Sequence, residues 1–330
     1  SDEKKLADCN VFIITVPTPV DKNKKPDLRS LINATKIISK YIKHKDIIIY
    51  ESTVHPGATD QLCIPLIEKI SKIKCKNNQD KLNKYFFCGY SPERINPGDK
   101  KHTLKNITKL ISCNSKAGLI NIKKLYESIG LNTFSLENIK QAESAKIIEN
   151  VQRDLNIALI NELSDIFFKM NIDTYKVLEA ASTKWNFLNF EPGLVGGHCI
   201  GVDPYYLTHA TQKLGYKAKL ILSGRKINNN VPFQIFSRLK KKLQEKKIYN
   251  KKNKILIMGF TFKENCTDVR NSKVYDLYKL LKKNNSVDIY DPLVDIFELG
   301  KLYNLKKINK LKRSYYDVII ISVKHKIFKN

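Results

Sequence analysis

The chain has 330 residues and a mass of 38.0 kDa, enough for about two domains with sizeable cores. A hydrophobic fraction of 42% and a mean hydropathy of −0.35 exclude global disorder, and no window approaches the ~20 apolar residues of a membrane helix. The formal net charge of +27 points first to a binder of nucleic acid or anionic membranes.

Val11–Val16 is a continuous apolar run ending at Pro17, which predicts a buried parallel strand. Leu28–Tyr41 has helical spacing through Leu31, Ile32, Ile38 and Tyr41. Ile47–Tyr50 reads as a second strand, the segment through Leu62, Leu66, Ile67 and Ile70 as a helix, and Tyr85–Cys88 as a third strand. Strand–helix alternation predicts a parallel sheet with a ligand crevice beyond the carboxyl ends of its strands. Thr18, Thr53 and Glu93 follow three such ends. One long helix is predicted over 140–169, and shorter ones over 174–181 and 205–214. Between the short helices lies the glycine-rich segment Glu191–Pro204. A second α/β unit follows, with strands over 255–260, 287–290 and 318–323 and a helix over 274–281.

Seven cysteines without a CxxC pair argue against a disulfide framework or a zinc site and for a reducing cytoplasm. The opening Ser1–Lys5 lacks the apolar core of a signal peptide. Only seven of the 59 cationic residues are arginine, and Lys–Asn runs recur on loops and polar helix faces. Specific DNA readers cluster their charge and use arginine forks. The charge therefore reads as lysine enrichment, with neither nucleic acid nor membrane as partner, and as an aid in attracting an acidic substrate.

Cys199 stands in Gly196-Gly197-His198-Cys199-Ile200-Gly201, where glycines permit close approach of a ligand to a reachable thiol. Lys146 and Asn150 share one face of the long helix, and Asp203 follows Cys199 by four residues. With Thr53 and Glu93 this set suits covalent thiol catalysis, in which a lysine stabilises an oxyanion and carboxylates move protons. Each residue alone has a plainer reading: a buried cysteine, a solvated helix face, a cap. His198–Cys199 has no second Cys/His pair at metal-site spacing.

Six strings in order change the weight of these signals: Val16–Pro19, Ser52–Gly57, Ser91–Asp99, Glu143–Asn150, Gly196–Pro204, and Gly259–Lys263 with Asp268–Ser272. Together, over nearly the whole chain, they resemble the UDP-glucose/GDP-mannose dehydrogenase family. The resemblance implies an α/β fold of two Rossmann-like parallel-sheet domains joined by a long central helix that also builds a homodimer. The implied domains are 1–136 (NAD), 137–230 (central, dimerisation) and 231–330 (UDP-sugar). It further implies NAD-dependent oxidation of the C6 alcohol of a UDP-sugar to a carboxylate, through a Cys199 thiohemiacetal and thioester, for surface-polysaccharide synthesis. In this reading Lys146 stabilises the oxyanion, Asn150 positions the sugar, and Asp203, Thr53 and Glu93 handle water and protons. Glu93, Arg94, Gly193, Gly196 and Lys263 hold substrate, and Thr18, Thr53, Cys199 and Arg270 lie against NAD. Pro97 stands where the UDP-glucose enzymes carry a second glutamate, which favours a UDP-N-acetylhexosamine of the UDP-N-acetylglucosamine type and leaves the epimer open.

The family's opening strand and G-x-G-x-x-G are not in this sequence, so the first domain is expected to lack about 70–90 residues, or two βαβ units. Strands left unpaired by that loss predict poor solubility. A second reading is accordingly a remnant that binds UDP-sugar without redox turnover.

Overall fold

The computed structural model describes residues 2–21, 23–95, 103–248 and 252–329. The chain divides into two units, Ser1–Asn150 with Val202–Ala218, and Val151–Gly201 with Lys219–Asn330.

In the first unit, strands β1 (Val11–Ile14), β2 (Ile47–Tyr50), β3 (Lys74–Cys75), β4 (Tyr85–Tyr90), β5 (Lys109–Cys113) and β6 (Thr133–Leu136) form one sheet, ordered β1-β2-β4-β5-β6 with β3 on the start of β4. The pairs are parallel except β4–β5, where Gly89 faces Cys113 in antiparallel register. That reversal departs from the all-parallel expectation. It also requires a close approach, because a Cβ on Gly89 would sit 2.5 Å from the Ser112 carbonyl oxygen. Helices α1 (Arg29–Ser39) and α2 (Ile64–Ser71) cover one face, where Leu31, Ile38, Ile64 and Ile67 meet Phe12, Ile48, Tyr50, Phe86 and Cys88. A π-helical turn, Thr59–Cys63, leads into α2. Helix α3 (Lys116–Ser128), capped by Ser115, covers the other face through Ile122 and Tyr126 against Ile49, Phe87 and Ile111.

The period of two therefore buries β2 and β4 on both sides. Strand β1 is buried on one side only, through Phe12 and Ile14, while Val11 and Ile13 are exposed. Among the described residues it pairs with β2 alone. Its run also stops at Ile14 rather than Val16.

Helix α4 (Ile139–Lys169) holds the division between the units. The second unit continues with α5 (Thr174–Ser182), whose cap Asp173 accepts from the backbone N–H groups of Tyr175 and Lys176. The first unit contributes α6 (Asp203–Lys213). Helix α7 (Lys219–Glu245) then precedes a parallel sheet ordered β8-β7-β9, from β7 (Lys254–Met258), β8 (Ser286–Tyr290) and β9 (Val318–Ile321). Helices α8 (Val274–Lys282) and α9 (Ile296–Tyr303) bury Leu277, Leu281 and Leu299 with Ile255, Ile257 and Ile289. Strand β7 stops at Met258 because Gly259 takes a φ of +84° and the chain turns away. Helices α3, α7 and α9 and strands β3, β5 and β6 fall outside the predicted elements. Pro232 stands inside α7, and β5 and β6 are short strands with polar residues that blunt a hydrophobic period.

Candidate active site

The carboxyl ends of β1, β2 and β4 lie side by side and run into the segments carrying Thr18, Thr53 and Glu93. The Thr18 hydroxyl donates to the Thr53 carbonyl at 2.6 Å, and the Tyr206 hydroxyl donates to the Thr18 carbonyl at 2.6 Å. The Ser52 hydroxyl donates to the Val16 carbonyl at 2.7 Å, so the two strand ends are stitched together. Glu93 is exposed, and its carboxylate accepts the Ile95 backbone N–H at 2.5 Å. Arg94 pairs with Glu149 at 2.7 Å and donates to the Thr108 carbonyl at 2.8 Å, which ties this segment to α4. Pro97 lies outside the described residues.

Glu143, Lys146 and Asn150 follow one another at helical spacing on α4, and all three are buried. The Asn150 amide donates to the Asp203 carboxylate at 2.5 Å. Asp203 is 2% exposed at the first turn of α6, and Pro204 behind it suits that position because it needs no N–H there. Burial pushes the Asp203 carboxyl up to about 6, against the opposing pull of the Lys146 charge and the Asn150 hydrogen bond. Lys146, Asn150 and Asp203 thus form one buried group. Glu143 accepts the backbone N–H of Gly57 at 2.5 Å and of Thr59 at 2.9 Å, and burial pushes its carboxyl up to about 7. Sequence reasoning gave no role to Glu143, Glu149 or Tyr206. The first two stood inside a quoted string, but which backbone they bind is a matter of tertiary packing.

In the second unit the thiol loop is pinned by asparagine side chains. Gly193 makes a reciprocal pair with Asn161, donating its N–H at 2.8 Å and accepting the Asn161 amide at 3.0 Å. The Asn271 amide donates to the Gly197 carbonyl at 2.8 Å. Gly197 has a φ of +78°, and a Cβ there would meet the Phe262 ring at 2.8 Å. A Cβ on Gly196 would sit 2.7 Å from the Asn271 carbonyl oxygen, so both glycines are needed for this approach. Cys199 is partly exposed. Arg270 holds Asp268 bidentately at 2.6 and 3.0 Å, and Asp268 also faces His198 at 3.7 Å. Burial raises the Asp268 carboxyl, but the Arg270 bonds outweigh it and hold the group below its ordinary value. The hydrogen bonds to Asp268 keep Arg270 firmly protonated, and the Cys199 charge acts in the same direction. Gly193, Gly196 and Lys263 line one cavity of about 540 Å³, walled also by Thr261, Phe262 and Arg238. That volume is within the usual range for a small-molecule site.

A nicotinamide dinucleotide on an open α/β sheet uses the carboxyl ends of its strands. The Thr18 hydroxyl spends its proton on the Thr53 carbonyl, which leaves its lone pairs to accept from a carboxamide. The strand-end residues present fit that part of NAD, while a G-x-G-x-x-G loop for the pyrophosphate is not in the sequence. Among the described residues no group of three or more His, Cys, Asp or Glu could hold a metal ion, and no helix is long and apolar enough to cross a membrane.

Three models of one family match the chain in order: the NAD binding domain over residues 1–130, the central domain over 140–230 and the UDP binding domain over 256–330. The chain is 49% identical over 331 residues to a UDP-N-acetyl-D-glucosamine 6-dehydrogenase of Salmonella typhi, spanning 100% of this chain and 76% of that protein. It is 49% identical to one of Pseudomonas aeruginosa, spanning 98% and 76%. Among solved structures it is similar to a UDP-D-ManNAc dehydrogenase from Pyrococcus horikoshii, with a TM-score of 0.88 and 28% identity over 100% of this chain and 75% of that one. A strand-end crest fit for NAD, a buried Lys–Asn–Asp group and a glycine-pinned thiol beside a cavity accord with these matches, and the chain belongs to the UDP-glucose/GDP-mannose dehydrogenase family as an NAD-dependent UDP-sugar dehydrogenase.

Proposed function

We propose that the protein oxidises the C6 alcohol of a UDP-N-acetylhexosamine, of the UDP-N-acetylglucosamine type, to the carboxylate for surface-polysaccharide synthesis. The observation that carries this reading is the Cys199 loop, pinned through Gly193 and Gly197 beside the cavity that Lys263 lines. The relatives from Salmonella typhi and Pseudomonas aeruginosa support the substrate type.

Two NAD molecules, bound one after the other, would each accept one of the two hydrides that this four-electron oxidation releases. As the first hydride leaves, the C6 hydroxyl gives its proton by way of the Asp203 carboxylate to solvent, and C6 becomes an aldehyde. The Cys199 thiolate forms an S–C6 bond to it, and the Lys146 ammonium balances the oxyanion of the resulting thiohemiacetal. Loss of the second hydride leaves a thioester. Water then adds to C6 and the C–S bond breaks, giving the carboxylate and freeing the thiol, with the Asp203 carboxylate taking the proton from water. Burial suits Asp203 to this work, because a carboxyl near 6 is a better base than an ordinary aspartate and is still ionised at neutral pH. Asn150 orients Asp203 and positions the sugar; Thr53 and Glu93 assist at the strand ends. Glu93, Arg94, Gly193, Gly196 and Lys263 hold substrate, and Thr18, Thr53, Cys199 and Arg270 face the cofactor.

Three consecutive domains, 1–136, 137–230 and 231–330, are supported by the three family matches. A homodimer through the central helix is supported by apolar side chains exposed there, Leu159 and Ile166. A cytoplasmic location is supported by a cysteine pattern, seven residues without a CxxC pair, that suits a reducing compartment.

The test is NADH formation by the gene product with UDP-N-acetylglucosamine, UDP-N-acetylmannosamine and UDP-glucose. Two NADH per UDP-N-acetylglucosamine are expected, with none from Cys199→Ala past the aldehyde. Preference for UDP-glucose, or one NADH per sugar in the wild type, overturns the reading. UDP-sugar binding without any NADH identifies the remnant instead.

A further inference from the structure

Four polar side chains lie buried side by side in the second unit and take no part in the chemistry above. Arg225, Asn228, Asp154 and Asn161 are each 2% exposed or less. The Arg225 guanidinium donates to Asp154 Oδ1 at 2.6 Å. The Asn228 amide donates to the same oxygen at 2.7 Å and to the Asp154 carbonyl at 2.9 Å. The Asn161 amide donates to Asn228 Oδ1 at 2.9 Å. Asn161 then makes its reciprocal pair with Gly193. The chain of bonds runs from α7 to α4, back to α7, back to α4, and ends on the backbone of the glycine segment.

Two features set this apart from ordinary packing. Burying two charges and two amides is costly, and apolar residues of like volume hold helices together as well or better. And the relay ends where a ligand is expected: Gly193 lines the cavity, and a Cβ built on it would meet no atom within 4 Å. Its backbone is gripped by Asn161 while its α-carbon faces open space. A backbone wall of that kind needs a partner that both donates and accepts, which an asparagine amide supplies and an aliphatic or carboxylate side chain does not.

We propose that Arg225, Asp154, Asn228 and Asn161 are positioning residues that hold the Gly193 segment in register for the nucleotide part of the UDP-sugar; this rests on the function proposed above. Asn161 borders the cavity and Asn228 does not, so Asn228 is the more telling position.

The experiment is calorimetric titration of UDP into the wild type, Asn228→Ala, Asn161→Ala and the double variant, with steady-state kinetics on the UDP-sugar. Of the three hydrogen bonds lost in Asn228→Ala, the one from Asn161 bears on the Gly193 segment, and its loss predicts about tenfold weaker UDP binding and a matching rise in KM, with kcat little changed. Because both residues act through one contact, the double variant should bind within about twofold of Asn161→Ala. A merely destabilising change lowers the fraction of protein that binds and leaves Kd unchanged. Should Asn228→Ala not fold, Asn161→Asp serves: it keeps the acceptor for the Gly193 N–H, loses both donors, and should show the same Kd loss. Folded variants that bind UDP as tightly as the wild type, or losses that multiply in the double variant, overturn the relay alone. A wild type that binds no UDP overturns the function proposed above and the relay with it.

Discussion

Asp203 shows how one residue carries opposed demands. Burial lifts its carboxyl to about 6, and Lys146 and Asn150 limit that rise. In the proposed chemistry it must be ionised, so kcat should fall as pH drops below about 6, and Asp203→Asn should cost about a hundredfold or more and erase that acidic limb. Folding has the opposite sign. A carboxyl raised above its unfolded value contributes stability that is complete below the unfolded pKa of 3.8 and is lost as pH rises through about 6. Asp203→Asn should therefore be more stable than the wild type at about pH 8, by of order 2 kcal/mol, with the gap closing toward about pH 4. Urea titrations at the two pH values check it; a variant less stable at the higher pH would show that the Asn150 bond outweighs desolvation. Cys199, Lys146, Asn150 and Asp203 were legible as candidates because thiol, ammonium and carboxylate recur in recognisable strings. The perturbed state of Asp203 was not, because burial is set by neighbours far along the chain.

At the scale of elements, α4 acts as a ruler. Helical spacing aims Glu143 at the Gly57–Thr59 backbone, Glu149 at Arg94 and Asn150 at Asp203. Glu143 is raised to about 7 by burial, so its contribution is full below 4.5 and is lost as pH rises through about 7. Glu143→Gln should flatten the fall in Tm between about pH 5 and pH 8, measured by thermal melting across that range. A second strut stands between strand ends. The buried Lys109 ammonium pairs with Glu51 at 2.8 Å and reaches the Pro92 carbonyl at 3.3 Å, while the Tyr126 hydroxyl donates to Glu51 at 2.5 Å. Lys109→Met leaves the part-buried Glu51 carboxylate without its cation and should cost about 3 kcal/mol in urea unfolding, most of which Lys109→Met/Glu51→Gln should restore. The long helix and the strands over Ile47–Tyr50 and Tyr85–Cys88 were plain from pattern, the latter strand running on to Tyr90 in the structure. Strands β5 and β6, which are short and polar, and α7 with its Pro232, were not, because each is held by its neighbours rather than by its own pattern.

Over the whole molecule, the net charge of +27 predicts ionic-strength dependence rather than sequence reading. UDP-sugar affinity should weaken as salt rises, because screening removes the attraction of a basic surface for a dianion. Binding to mixed-sequence DNA should vanish by about 200 mM salt. A DNA complex that survives that salt would restore nucleic acid as a partner. Each unit also leaves apolar strand residues uncovered: Ile13 on β1 in one, and Ile319 and Ile321 on β9 in the other, at 48%, 58% and 57% exposure. Uncovered apolar strand faces of this kind favour association between molecules. Ile319→Lys should raise the soluble fraction and leave Tm within about 2 °C, checked by light scattering and melting, since surface changes rarely exceed ~0.5 kcal/mol.

The α/β class and the long helix were determined by the amino-acid sequence itself, which also offered Cys199, Lys146, Asn150 and Asp203 as candidates. Apolar period, glycine punctuation and reactive residue types are local properties, and the ordered strings carried the family. Tertiary structure alone decided that β4 and β5 run antiparallel, that Glu143 and Lys109 brace the strand ends, and that Asn161 grips Gly193. Those outcomes depend on which backbone donors and buried charges meet across separations such as Gly57 to Glu143 or Asn161 to Gly193. Hydrogen-bond satisfaction and desolvation belong to a packed environment, and no window of sequence contains that environment.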